Sequence, residues 1–187
     1  VREPKALLLS DGKSLGYRPV DHTLIGSPYD APIDRFWESI YRHCGVPESR
    51  GFPMVTSVDE RRIRPYFNAG LLVVRPERGL LQSWRERFHR LYGAACFEEF
   101  YRRDVLYRIF FHQAVLAGTV LSSVKQQELQ KLPHLVNHPL HMHADYPADR
   151  RPATVNELIT GRYDVFFEDA NWREVFPAQE PLKSWLI

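Results

Sequence analysis

Apolar residues recur along the chain in two rhythms. Ile33, Phe36, Trp37, Ile40, Tyr41 and Cys44 follow the i, i+3, i+4, i+7 spacing of one helix face. Asp30 is placed to cap that helix, Pro32 suits its first turn and Gly45 its end. Leu80, Leu81, Trp84, Phe88 and Leu91 predict a second amphipathic helix closed by Gly93. Phe97 to Ala117 continues in helical rhythm, with a break at Arg103-Asp104 and a stop at Gly118. The other rhythm is short and extended. Leu71 to Val74 is an unbroken apolar run that predicts a buried strand, ended by Arg75-Pro76 because proline cannot donate to a ladder. Leu15 to Val20 reads as extended, since Pro19 biases Arg18 away from helix. Ala6 to Leu9 is an apolar run ended by the turn signal Ser10-Asp11-Gly12. Phe52 to Val58 and the β-branched stretch Thr119 to Val124 are further strand candidates.

From Leu132 the texture changes to Pro, His, Asn and Asp, in "LPHLVNHPLHMHADYPADRRP". This is irregular chain, too long for an ordinary connection. Val155 to Ile159, Tyr163 to Phe167 and Pro181 to Ile187 are short elements of open type. The last, with Leu182, Trp185 and Leu186, suits a docked C-terminal helix. The order predicts an α/β fold: a mixed sheet flanked by helices, with an irregular C-terminal region.

Composition narrows the function classes. With 187 residues and 44% hydrophobic content, the chain suits one globular domain. Its net charge of +2 is spread among Arg, Glu and Asp without a basic block, which argues against a nucleic-acid partner. Cys44 and Cys96 each lie in or beside a helical pattern. Two buried free thiols are expected, which fits a reducing compartment and a cytoplasmic location. No unbroken 18-residue apolar run predicts a membrane span. The sequence has no GxGxxG, no GxxxxGK[ST], no GxSxG and no Asp-x-Asp.

Three groups of residues carry possible chemistry. Phe67-Asn68-Ala69-Gly70 precedes the apolar run, so an amide that both donates and accepts stands beside two minimal side chains. It could face a ligand approaching the backbone, or satisfy a local turn. His112-Gln113 is a polar pair in the apolar stretch "YRIFFHQAVLAG", and it needs partners from substrate or from the protein itself. The third group is His134, His138, His141 and His143 with Asp145. On an extended segment the alternate residues of "HMHAD" would point one way and could hold a divalent metal; otherwise the stretch is a solvated loop.

Together these stretches resemble the glycogenin-like, family-8-type glycosyltransferases of GT-A fold. "YFNAGLLVVRP" is similar to that family's FNSG/FNAG strand motif, His112-Gln113 stands where its acidic-Gln pair opens a later helix, and Leu132 to Asn137 is similar to its "LP..YN" segment. The resemblance covers about residues 50 to 140. It implies a partial GT-A-like mixed sheet and transfer of a sugar, with retention, from a nucleotide-diphosphate donor to a hydroxyl acceptor. It places Asn68, Ala69, Gly70, His112 and Gln113 at the substrate. It also implies a divalent metal, manganese or magnesium, whose Asp-x-Asp ligands this sequence lacks, with His141 or His143 as a histidine ligand. The family's nucleotide-binding βαβ half, which precedes a segment of this kind, is not among residues 1–187. The expectation is therefore that residues 1–187 form the C-terminal, acceptor-side domain of a longer enzyme, inactive alone and open to self-association. Two rivals stay open: a non-catalytic carbohydrate- or protein-binding module on the same scaffold, and a metal-dependent hydrolase built on the HMHAD stretch.

Overall fold

Asp34, four residues beyond the expected cap, starts the first helix. Its carboxylate accepts a hydrogen bond from Trp37 N at 3.0 Å, and α1 runs Arg35–Cys44 to a left-handed Gly45 at φ 67°. The computed structural model describes residues 3–164 and 178–186. The chain divides into two units, Leu9–Lys131 and a second made of Val1–Leu8 with Leu132–Ile187.

The 9–131 unit holds a small mixed sheet and a helical layer, as the α/β expectation required. Strand β1 (Leu15–Tyr17) is central. On one side it pairs antiparallel with β4 (Val73–Val74), Leu15 opposite Val74. On the other it pairs parallel with β5 (Leu129–Lys131), Leu15 opposite Leu129. A hairpin of β2 (Met54–Val55) and β3 (Arg62–Ile63) lies between α1 and β4 in the sequence. The run Leu71–Val74 thus yields two strand residues, half-buried, and β4 lies at the edge of its sheet.

The helical layer consists of α1, α2 (Leu80–Leu91), α3 (Ala95–Arg103) and α4 (Val105–Ser123). The break at Asp104 is real: its side chain caps α4 by accepting from Leu106 N at 2.8 Å. Phe111 on α4 sits among rings from the other three helices, with centroids 6.3 Å from Phe36, 6.2 Å from Phe88 and 4.9 Å from Phe97. Edge-on packing of such rings is the favoured geometry. Helix α4 does not stop at Gly118, and Thr119 to Ser123 is helix rather than strand. Gly118 is required by proximity: a Cβ there would lie 2.6 Å from Cys44 Sγ. Thr119 and Ser123 bond back to the carbonyls of Val115 and Thr119, which keeps their hydroxyls satisfied inside the helix. Burial overrides β propensity here. By length and composition α4 could also cross a membrane, but its residues from Phe111 to Leu121 are mostly buried in this helical layer.

The second unit is irregular, as expected. A parallel pair, β6 (His138–Pro139) with β7 (Gly161–Arg162), is joined by 3₁₀ turns at Leu140–Asp145, Ala148–Arg150 and Val155–Glu157. A short α5 (Leu182–Leu186) ends the described chain. The expected element at Tyr163–Phe167 lies mostly outside the described residues, as do Ile187 and the side chains of Trp185 and Leu186.

Candidate functional site

Past Tyr17, β1 continues as an extended segment that supplies hydrogen bonds on both sides. Val20 N donates to Tyr66 O at 3.2 Å and Asn68 N to Arg18 O at 2.9 Å. On the other flank, Ser57 N donates to Val20 O at 3.1 Å and Val58 N to Asp21 O at 2.8 Å. Three stretches of chain, around residues 20, 57 and 67, therefore converge, and each brings a polar side chain inward. Arg18 is 5% exposed, Asp21 7% and Asn68 6%.

The Asn68 amide uses both ends. Nδ2 donates to Asp21 Oδ2 at 3.1 Å, and Oδ1 accepts from Gly70 N at 2.8 Å, closing a turn two residues long. Arg18 Nη2 donates to Ser57 Oγ at 3.2 Å. Asp59 ties the adjoining loop by accepting from Thr23 N at 2.9 Å and Thr23 Oγ1 at 2.8 Å. Leu24 and Glu60, on these two loops, sit at φ 48° and 52°, where non-glycine residues are uncommon. An arginine and an aspartate this deeply buried are costly to place without partners, and each is held by a side-chain hydrogen bond. Arg18, Asp21 and Ser57 match no motif. No local spacing announces them: Arg18 precedes Pro19, and Asp21 follows the stretch that reads as extended.

His112 and Gln113 lie midway along α4 and are half-buried. His112 Nδ1 is 2.9 Å from Ile109 O, so it carries the proton, and the ring stacks on Trp84 at 6.5 Å. Trp84 Nε1 donates to His112 O at 2.8 Å. Burial pushes the imidazole below the ordinary histidine range, with the bond to Ile109 opposing it. Gln113 Oε1 is a buried acceptor with no partner among the described residues. The structure joins Asn68 to Asp21 and Gly70; no hydrogen bond among the described residues joins it to His112 or Gln113.

In the second unit, the HMHAD stretch is 3₁₀ helix, not extended. At three residues per turn, alternate side chains diverge. His143 Nδ1 lies 3.1 Å from His138 Nε2, whereas His141 Nε2 lies 3.6 Å from Asp164 Oδ2, which Arg162 also contacts at 3.0 Å. Burial, then the Arg151 charge, lowers the His143 pKa. Among the described residues no group of three His, Cys, Asp or Glu is arranged to hold a metal ion. Cys44 is buried as expected, but Cys96 is exposed, because it opens α3 on the outside of the helical layer.

Residues 19–102 match the family model described as the Rhodobacterales glycosyltransferase domain. The matched segment holds Asp21, Ser57 and Asn68 together with α1 and α2; His112 and Gln113 lie beyond it. The match supports a glycosyltransferase family, without distinguishing a glycogenin-like member or a GT-A fold. No curated protein and no solved structure has a significant match to the chain.

Proposed function

We propose that the 9–131 unit belongs to a glycosyltransferase that moves a sugar from a nucleotide-diphosphate donor to a hydroxyl acceptor. The observation that carries this reading is a coincidence of position: the segment matching a glycosyltransferase domain contains the buried Asp21–Asn68 pair, with Arg18 immediately before it. In this reading Asn68 is chiefly a positioning residue. It fixes the Asp21 carboxylate, which faces the sugar and offsets positive charge developing at the anomeric carbon. Arg18 and Ser57 lie beside it, suited to the negative diphosphate. Ala69 and Gly70 keep the approach clear of bulk.

The family resemblance implies manganese or magnesium. The residues present do not fit that group: Asp-x-Asp is missing from the sequence, and no three-residue ligand set occurs among the described residues.

A second reading is favoured by one observation. Both ends of the Asn68 amide are engaged within the chain, as a binding module without turnover would allow. A thermal-shift panel of nucleotide-diphosphate sugars, with and without manganese, tests both. The transferase reading expects stabilisation by a nucleotide sugar, lost in Asp21→Asn. Stabilisation by free oligosaccharides alone would favour the binding module. No shift with any nucleotide or nucleotide sugar would overturn the transferase.

A further inference from the structure

The chain carries two thiols in opposite circumstances. Cys44 is 3% exposed, packs against Gly118, and burial pushes its pKa up. Cys96 is exposed at the second position of α3, and it has a base beside it. His43, also exposed, stands at the end of α1 with Nε2 3.9 Å from Cys96 Sγ. The imidazole's tautomer is decided by its other nitrogen. Nδ1 lies 2.8 Å from the carbonyl of Ser39, which can only accept, so Nδ1 holds the hydrogen and the Nε2 lone pair is left toward the sulfur. The ring is held in place against Phe97, 5.8 Å between centroids. A nucleophile, a base within reach of it and a third group that orients the base are the parts of an activated thiol.

We propose that Cys96 and His43 form a reactive dyad that is a site of thiol–disulfide exchange with low-molecular-weight disulfides. Cys96 Sγ attacks one sulfur of the disulfide while its proton passes to His43 Nε2. The new S–S bond forms as the old one breaks, and the departing thiolate takes the proton from the imidazole. Cys96 ends as a mixed disulfide and the reagent as one free thiol, so the disulfide is the oxidant and no other is needed. Glu98 and Glu99 follow Cys96 in α3, and Arg35 pairs with Glu99 at 3.7 Å, so a neutral reagent separates the dyad's effect from charge steering.

The test is the reaction of the folded protein with bis(2-hydroxyethyl) disulfide, followed at each cysteine by mass spectrometry. Cys96 is expected to be modified first and Cys44 only after denaturation. His43→Gln is expected to slow Cys96 by about tenfold or more, short of the roughly 10²–10⁴-fold of a positioned base in an active site because the contact is long, while Tm and Cys44 protection stay unchanged. A second comparison needs no variant: Cys96 is expected to react faster in the folded chain than in urea, where the imidazole is no longer beside it. Equal rates with and without His43, or a folded rate no higher than the unfolded one, would overturn the dyad.

Discussion

The amide of Asn68 binds the carboxylate of Asp21 across 47 residues of sequence, through an Nδ2 to Oδ2 bond of 3.1 Å. The same amide holds Gly70 N with its oxygen, so one side chain fixes both a buried charge and the turn that leads into β4. Asn68→Ala leaves both groups short of a partner and is expected to cost about 1–3 kcal/mol of stability. Asn68→Asp is expected to cost more at neutral pH, because it sets a second carboxylate beside Asp21; like charges sharing a site raise one pKa strongly. That extra cost should shrink as the pH is lowered. Urea unfolding of both variants at two pH values measures it, and equal losses at both would show that repulsion between the two carboxylates is not what Asn68→Asp costs.

Gly118 makes the opposite kind of prediction, since local propensity and packing disagree. Alanine in mid-helix is favoured over glycine by up to about 1 kcal/mol. A Cβ at 118, however, would stand 2.6 Å from Cys44 Sγ and 2.8 Å from its Cβ. Gly118→Ala is therefore expected to destabilise, by about 1–3 kcal/mol, as overpacked cores do. Cys44→Ala removes the sulfur but keeps the Cβ at 2.8 Å, so it relieves part of the overlap. The double variant should be more stable than the sum of the single losses predicts, and a double-mutant cycle reads that coupling directly.

The same residue shows what could be read in advance. The helices α1, α2 and α3 were legible because their apolar residues repeat at helical spacing on one face. The far half of α4 was not, because it is buried all round: burial removes the amphipathic rhythm and leaves β-branched residues that read as strand. The strand at Leu71 was read too long because an apolar run does not say whether its strand will be central or at an edge. In the candidate site, Asn68 stood out by its neighbours. Its partner Asp21 did not, since the contact is made by tertiary pairing of three extended segments and has no local spacing to announce it. The histidines of the HMHAD stretch misled for a simpler reason: the expectation depended on an extended backbone, and the chain there is 3₁₀.

Acidification should weaken the fold through His112 and His143. Burial depresses both imidazoles, with Arg151 adding to the effect at His143. Their folded values lie below the unfolded one, about 6.5. As pH falls through that value the unfolded chain takes up protons first, so stability is fullest above it and declines toward the folded values. A plot of unfolding midpoint against pH should bend downward below about 6.5. His112→Gln should flatten part of the bend, since glutamine keeps a polar group without the titration. A slope unchanged by both His112→Gln and His143→Gln would assign the acid sensitivity to other groups.

The start of α1 is capped by Asp34, and not by Asp30 as the sequence suggests. Asp34 Oδ1 accepts from Trp37 N at 3.0 Å, so its carboxylate satisfies a donor that the helix itself cannot. Asp30 instead pairs with Arg62 at 2.8 Å, both side chains more than half exposed. Surface ion pairs of that kind contribute about 0–1 kcal/mol. An N-cap contributes typically about 1 kcal/mol, and α1 carries Phe36, Trp37 and Ile40 into the core. Asp34→Ala is thus expected to lower stability by about 1 kcal/mol, while Asp30→Ala stays close to wild type. Asp34→Ser should recover most of the loss, because serine also caps, and Asp34→Asn should do as well, which would show that the hydrogen bond rather than the charge is what the helix start requires. Thermal unfolding of the four variants side by side decides it: a larger loss from Asp30→Ala than from Asp34→Ala would move the cap back to the position the sequence first suggested.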